Sequence, residues 1–397
     1  MRLATWDFAA ILGLGLLLAW WALQPGHQPG MAEGNDLVVF YEAASRFAAT
    51  GNPYGSGFVG TASFALLLTP LTAVGVDAAA RVWLALSLVG LVGLSAATLH
   101  VAGVPARAWP VCALAAGLLL WPADSYGLVL GQSSTGVAML ATVATAVAQR
   151  SPPAAGLLLA FAATTKPHLV LLLAASLAAD QFRRTRGLSL ASGFVVVSAS
   201  LLAMAALHSR SWIDVLRENP PESWDYWGST VGANVFFSAL LADRRAGWFL
   251  LATLGAALLT GLAIWWWRSE PTSGELASAV MAASLLITLY AYPHDYVVLA
   301  LPLVWIGPRV WRSSGPLSAP LLVGLGLVAW FAPIPARYDD LRFSALMLPA
   351  LLLATLWLLP TKGPSSSPAR LEPPPQPPQA WGNKGGPSQH SYAHRPR

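Results

Sequence analysis

The chain has 397 residues, 55% hydrophobic and 10% charged, with a formal net charge of +5. Soluble domains are about a quarter charged, so a single water-soluble core is excluded. The small positive balance belongs to membrane-flanking loops and tails, not to a nucleic-acid surface. The one cysteine, Cys112, excludes an intrachain disulfide and a thiolate metal cluster.

Long apolar runs recur from end to end. This is the pattern of an all-α polytopic membrane protein rather than a transmembrane barrel. The first span is expected over 5–24, after Arg2. No small-residue cleavage site follows it, so it reads as uncleaved. Further spans are expected at 58–75, 81–102, 108–122, 132–149, 154–180, 188–207, 246–267, 275–292, 295–307, 316–334 and 342–359, about twelve in all. Several of the 18 tryptophans lie near the ends of these runs, as interfacial anchors do.

The densest basic loop, "RRTR" with Arg183, Arg184 and Arg186, is expected in the cytoplasm. Both termini then fall inside. The segments 25–57, 208–245, 292–296 and 333–343 fall outside. Between 105 and 180 the parity stays open, because "WPADSYGLVLGQ" and "TTKPH" can mark broken or re-entrant helices. The expected division is a membrane-spanning domain over 1–359 and a disordered cytoplasmic tail over 360–397, rich in Pro, Gly and Ser.

In "GNDLVVFYEAASRF" the residues Leu37, Phe40, Tyr41, Ala44 and Phe47 fall on one helical face. Glu42 and Arg46 sit four apart on the other face. The segment is too short to span and reads as an interfacial helix in the first outer loop. Asp36 opens that helix, either as a cap or as a functional carboxylate. Asn35 could cap equally well.

Other polar residues stand out against apolar surroundings. Gln132 follows Gly131 at a helix start, either lining a polar site or bonding between helices. Lys166 and His168 lie in an apolar run, where a lysine near mid-bilayer costs about 2.5–3.5 kcal/mol. Pro167 offers the alternative of a break with a snorkelling lysine. His294 and Asp295 form a turn after Pro293, at a position where histidine can tune a site. Asn234, Arg244 and Arg245 in the long outer loop, and Arg337 and Arg342 in the last one, could contact a sugar or a phosphate or only anchor a span.

Taken in order, "DLVVFYEAASRFAATGNPYG", "FALLLTPLTAVG", "LVLGQSSTG", "AFAATTKPHLVLLLAA" and "YAYPHDYVVLALPL" resemble glycosyltransferase family 87 over about residues 5–358. The resemblance implies the C-type membrane glycosyltransferase architecture and places Tyr41 and Tyr54 within its first motif. It makes Asp36 the general base and His294 a functional histidine. It implies a polyprenyl-phosphate sugar donor, with mannose the expected hexose, used on the outer face of the plasma membrane. The segment after Tyr54, "GSGFVGTASFALLLTP", lacks the aromatic-proline signature common there, which puts acceptor contacts in doubt.

One carboxylate suffices for an inverting displacement by a deprotonated hydroxyl. A lipid-phosphate leaving group asks for cations rather than an acid. No Asp-X-Asp pair occurs in the first loop, so no metal or other cofactor is expected. The expected partners are the donor, a lipid or glycan acceptor, and membrane lipids. Two rivals remain: a secondary transporter or lipid flippase, which would place ionisable groups near the midplane, and an outer-face glycan ligase or polymerase using a diphosphate-linked donor.

Overall fold

In a computed structural model of the chain the described residues are 5–24, 35–55, 57–58, 60–218, 237, 240–241, 244–288, 291–313, 318–331 and 344–358. The tail expected over 360–397 lies outside them. Their regular structure is helical, with no strand among the described residues. Among the described residues four helices are individually long and apolar enough to cross a membrane: α1 (Thr5–Ala22), α4 (Val76–Val101), α10 (Ser189–His208) and, after the short α11 (Ser211–Glu218), α12 (Arg244–Ser269, of which Arg245–Ser269 qualifies). A fifth crossing is formed if α5 (Ala108–Leu120) and α6 (Pro122–Val129) are joined across their 71° bend. Pro122 causes that break, since it has no N–H to continue the preceding helix. Shorter apolar helices complete the bundle: α7 (Ser134–Val147), α8 (Pro152–Thr165), α13 (Ser273–Ile287), α15 (Ser318–Phe331) and α16 (Ser344–Leu358). The protein is a membrane protein of helical architecture.

Three expected spans take other forms, the one at 295–307 because it opens as a 3-10 turn and is α-helical only from Ala300. Residues 58–75 do not form one continuous helix. α3 (Ala62–Leu68) gives way to a 3-10 turn, Thr69–Ala73, at Pro70. The Tyr41 hydroxyl of α2 (Asp36–Thr50) donates to the Val74 carbonyl at 2.9 Å, and Phe40 of α2 packs edge-on against Phe64 of α3. Both parts of this segment therefore stay beside α2.

Residues 154–180 are two helices, α8 and α9 (Pro167–Thr185). α8 and α10 run side by side in the same direction. Their starts interlock at Gly156 and Gly193, where an added Cβ would meet Leu190 and Pro153 backbone oxygens at 2.2 and 2.6 Å. Their far ends both reach α3: Thr61 donates to the Thr164 carbonyl, and Ala205 packs with Ala62 and Ala65. α9 therefore runs back between them, and the chain reverses at Lys166. Pro167 disfavours helical backbone at the residue before it, and Lys166 has φ −135°, ψ 74°. Hydropathy alone does not register this reversal.

α13 is the central helix. Ser273 through Leu285 are all buried, and the run of Ala, Ser and Gly lets neighbours approach closely. Its start is fixed by a capping box between Thr272 and Glu275. At this end of the bundle Asp180 of α9 also takes Arg183 and Arg184 and the Trp266 indole N–H. At its other end α13 leads into the segment 291–299, a 3-10 turn over Pro293–Leu299 that continues into α14 (Ala300–Ser313).

Candidate active site

The site is built where four segments meet: the start of α2, the α6–α7 turn, the α8–α9 reversal and the Pro293–Leu299 turn. Asn35 caps α2, its Oδ1 accepting from the Leu37 amide at 2.8 Å. That assignment leaves the Asp36 carboxylate free of capping duty. The Asp36 amide donates to the Leu130 carbonyl at 2.9 Å, and Asn35 Nδ2 reaches the Val129 carbonyl at 3.4 Å. Gly131 has φ +68°, and a Cβ there would lie 2.6 Å from Leu37 Cβ and 3.0 Å from Asn35 Oδ1. Only glycine permits this close approach at low strain.

The same turn aims Gln132 at Asp36, and Gln132 Nε2 donates to Asp36 Oδ2. Burial pushes the Asp36 carboxyl above its usual range. The Gln132 hydrogen bond and the charge of Lys166 oppose that shift, and Asp295 adds to it. Lys166 and Asp295 are thus within electrostatic reach of Asp36.

Lys166 Nζ donates to Asp295 Oδ1 at 2.6 Å and lies 3.2 Å from His294 Nε2. An ammonium has no acceptor, so His294 Nε2 accepts and the ring hydrogen sits on Nδ1. Asp295 is fully buried. It also accepts from Ser134 Oγ at 3.0 Å and from the Tyr292 amide at 3.0 Å, while His168 Nε2 stands 3.8 Å away. Tyr292 stacks on His294 with ring centroids 5.3 Å apart. Gly127 makes room for His294, whose Cβ would be 2.9 Å from a Cβ there. A buried ion pair persists only when its desolvation is met by such added hydrogen bonds.

The structure therefore brings together Asp36, Gln132, Lys166, His168, His294 and Asp295. Tyr41 and Tyr54 occupy other positions. Tyr41 tethers α2 to Val74. Tyr54 lies in the loop after α2 beside Phe58, where burial pushes its hydroxyl up to about 12. Glu42 and Arg46 approach to 3.7 Å, and Arg46 also donates to the Pro53 and Gly55 carbonyls, so this pair shapes the loop. Arg245 is exposed in the first turn of α12. Asn234, Arg337, Arg342 and the side chain of Arg244 lie outside the described residues. Sequence reasoning missed Ser134 as a contributor. Nothing in "GQSSTG" separates Ser134 from Ser133, whereas Asn35 was visible as a competing cap. Among the described residues no three His, Cys, Asp or Glu side chains converge as metal ligands.

A family model described as glycosyltransferase family 87 matches residues 58–302, more than half of the chain. The match holds Gln132, Lys166, His168, His294 and Asp295 and begins after Asp36. No curated protein and no solved structure matched the chain.

Proposed function

The chain belongs to glycosyltransferase family 87 and is a membrane glycosyltransferase; from that premise we propose that it moves a hexose, with mannose the expected sugar, from a polyprenyl phosphate to a lipid or glycan acceptor. The observation that carries this reading is the link from Asp36 to the Lys166–His294–Asp295 cluster: Gln132 bonds Asp36, and Gly127 sits against both Gln132 and His294. Asp36 Oδ2 is held by Gln132, which leaves Oδ1 to act as the base. The acceptor hydroxyl gives its proton to Oδ1 as its oxygen bonds to the anomeric carbon. The bond from that carbon to the phosphate oxygen breaks, and its electron pair leaves with the lipid phosphate. One displacement inverts the anomeric centre. A carboxyl raised toward neutrality is a better base than an ordinary one.

Lys166 already faces Asp295 at 2.6 Å, so its charge is largely met within the protein. The donor phosphate then draws on Arg244, Arg245, Arg337 and Arg342. His294, with its hydrogen on Nδ1, positions the acceptor or the donor phosphate. The basic turn Arg183–Arg186 stands at the opposite end from the cluster, which supports cytoplasmic termini and a site on the outer face of the plasma membrane. Gathering of the ionisable groups at one end also favours transfer over transport.

The test is transfer from polyprenyl-phosphate mannose to a membrane-lipid extract by purified full-length protein. Asp36→Asn and Asp36→Ala are expected to lose it. Folded variants that transfer at the wild-type rate would exclude Asp36 as the base.

A further inference from the structure

Gln132 is the one side chain seen to hydrogen-bond the Asp36 carboxylate among the described residues. Three features make that contact a built one. Gln132 is only 8% exposed. Its backbone is fixed by its own amide donating to the Gly127 carbonyl at 2.8 Å. The turn that carries it is joined to the start of α2 by the Asp36 amide, by Asn35 and by the left-handed Gly131. The amide bonds one carboxylate oxygen and leaves the other open. It also carries no charge, so it orients the carboxylate without the strong bias of an ion pair.

We propose that Gln132 is a positioning residue for Asp36: it fixes the carboxylate through Oδ2 and, among the described residues, leaves Oδ1 as the proton acceptor, without touching either substrate. This rests on the reading of Asp36 as the base. It replaces the alternative of Gln132 as a sugar contact.

The experiment titrates the Asp36 carboxyl directly, by infrared difference spectra of detergent-solubilised full-length protein against Asp36→Asn. Donor KM and the pH profile of transfer from polyprenyl-phosphate mannose are measured on the same preparations. Gln132→Leu removes the donor. Gln132→Met keeps the length, removes the donor and adds no charge, so it remains informative where the leucine variant does not fold. In both, the Asp36 midpoint is expected to rise by about one pH unit or more. The acid limb of kcat/KM should move with it, while donor KM stays within about twofold. An unmoved midpoint in a folded variant overturns the proposal. So does a raised donor KM with an unmoved midpoint, which would make Gln132 a substrate contact. The two readings separate cleanly: full transfer by Asp36→Asn would remove the base assignment, while the infrared midpoint would still decide whether Gln132 governs that carboxyl.

Discussion

Lys166 and Asp295 form an ion pair of 2.6 Å at the reversal between α8 and α9, and the aspartate is wholly buried. Ser134, the Tyr292 amide and His294 surround the pair. This pair fixes the geometry of one wall of the site and engages the Lys166 charge within the protein.

Breaking the pair from one side should be costly. Asp295→Ala leaves a buried ammonium without its counter-ion, and a loss of about 3–5 kcal/mol is expected. The measurement is the thermal midpoint in detergent. A double replacement, Lys166→Met with Asp295→Leu, should recover much of the stability but no transfer. Activity in the double variant would show that the pair has no part in the site.

Asp36 should separate activity from stability. Its folded carboxyl is raised above its unfolded value by burial. Such a group favours the folded state below the unfolded value and loses that advantage as pH rises through the folded one. At neutral pH the ionised carboxylate is therefore a cost to folding. Asp36→Asn is expected to lose transfer by about 10²–10⁴-fold while its thermal midpoint equals or exceeds the wild type. The gap in midpoint should close toward the ordinary carboxylate range. A lower midpoint for Asp36→Asn at neutral pH would contradict this.

The same shift fixes the direction of the activity profile. The base works only when ionised, so transfer should fall on the acid side above the ordinary carboxylate range. Tyr54, raised to about 12, stays protonated through the working range and contributes no alkaline limb. A kcat/KM profile on wild type and Tyr54→Phe checks both statements.

Gly131→Ala should disturb the site without touching its chemistry. The added Cβ would meet Leu37 and Asn35 and would have to adopt φ +68°. Strain of about 1–3 kcal/mol is expected, with loss of transfer as α2 shifts from the 129–132 turn. By contrast, Thr272→Ala, at the far end of α13, removes a cap worth about 0.5–2 kcal/mol. It should lower the thermal midpoint and leave transfer by the folded fraction intact.

Much of the helical architecture is written in the apolar runs, and the start of α2 is legible in its helical phase. The same phase places Glu42 beside Arg46, as the structure has them. Asn35 and Asp36 looked alike as caps because capping depends on backbone angles that composition does not reveal. The side-chain bond to Asn35 resolves the ambiguity. The bond from Gln132 to Asp36 joins residues 96 positions apart, and no local pattern encodes it. Hydropathy counts apolar residues and is blind to direction, so the reversal at Lys166 shows in the sequence only as the possible break marked by "TTKPH". Pro167 was its only sequence sign. Pro70 played the same part in 58–75, where a run long enough to span is divided into two short pieces.

The order of synthesis adds a constraint on how the protein is made. Asp295 lies 129 residues after Lys166. The α8–α9 hairpin therefore leaves the ribosome with a charged tip whose counter-ion has not yet been translated. The ammonium must wait in contact with water or lipid headgroups and be withdrawn only when the 291–299 segment arrives. Nascent chains stalled before residue 291 should react with amine reagents at Lys166, and chains stalled well beyond Leu299 should be protected. The site is thus completed late, and a partly made chain holds no working enzyme in the membrane.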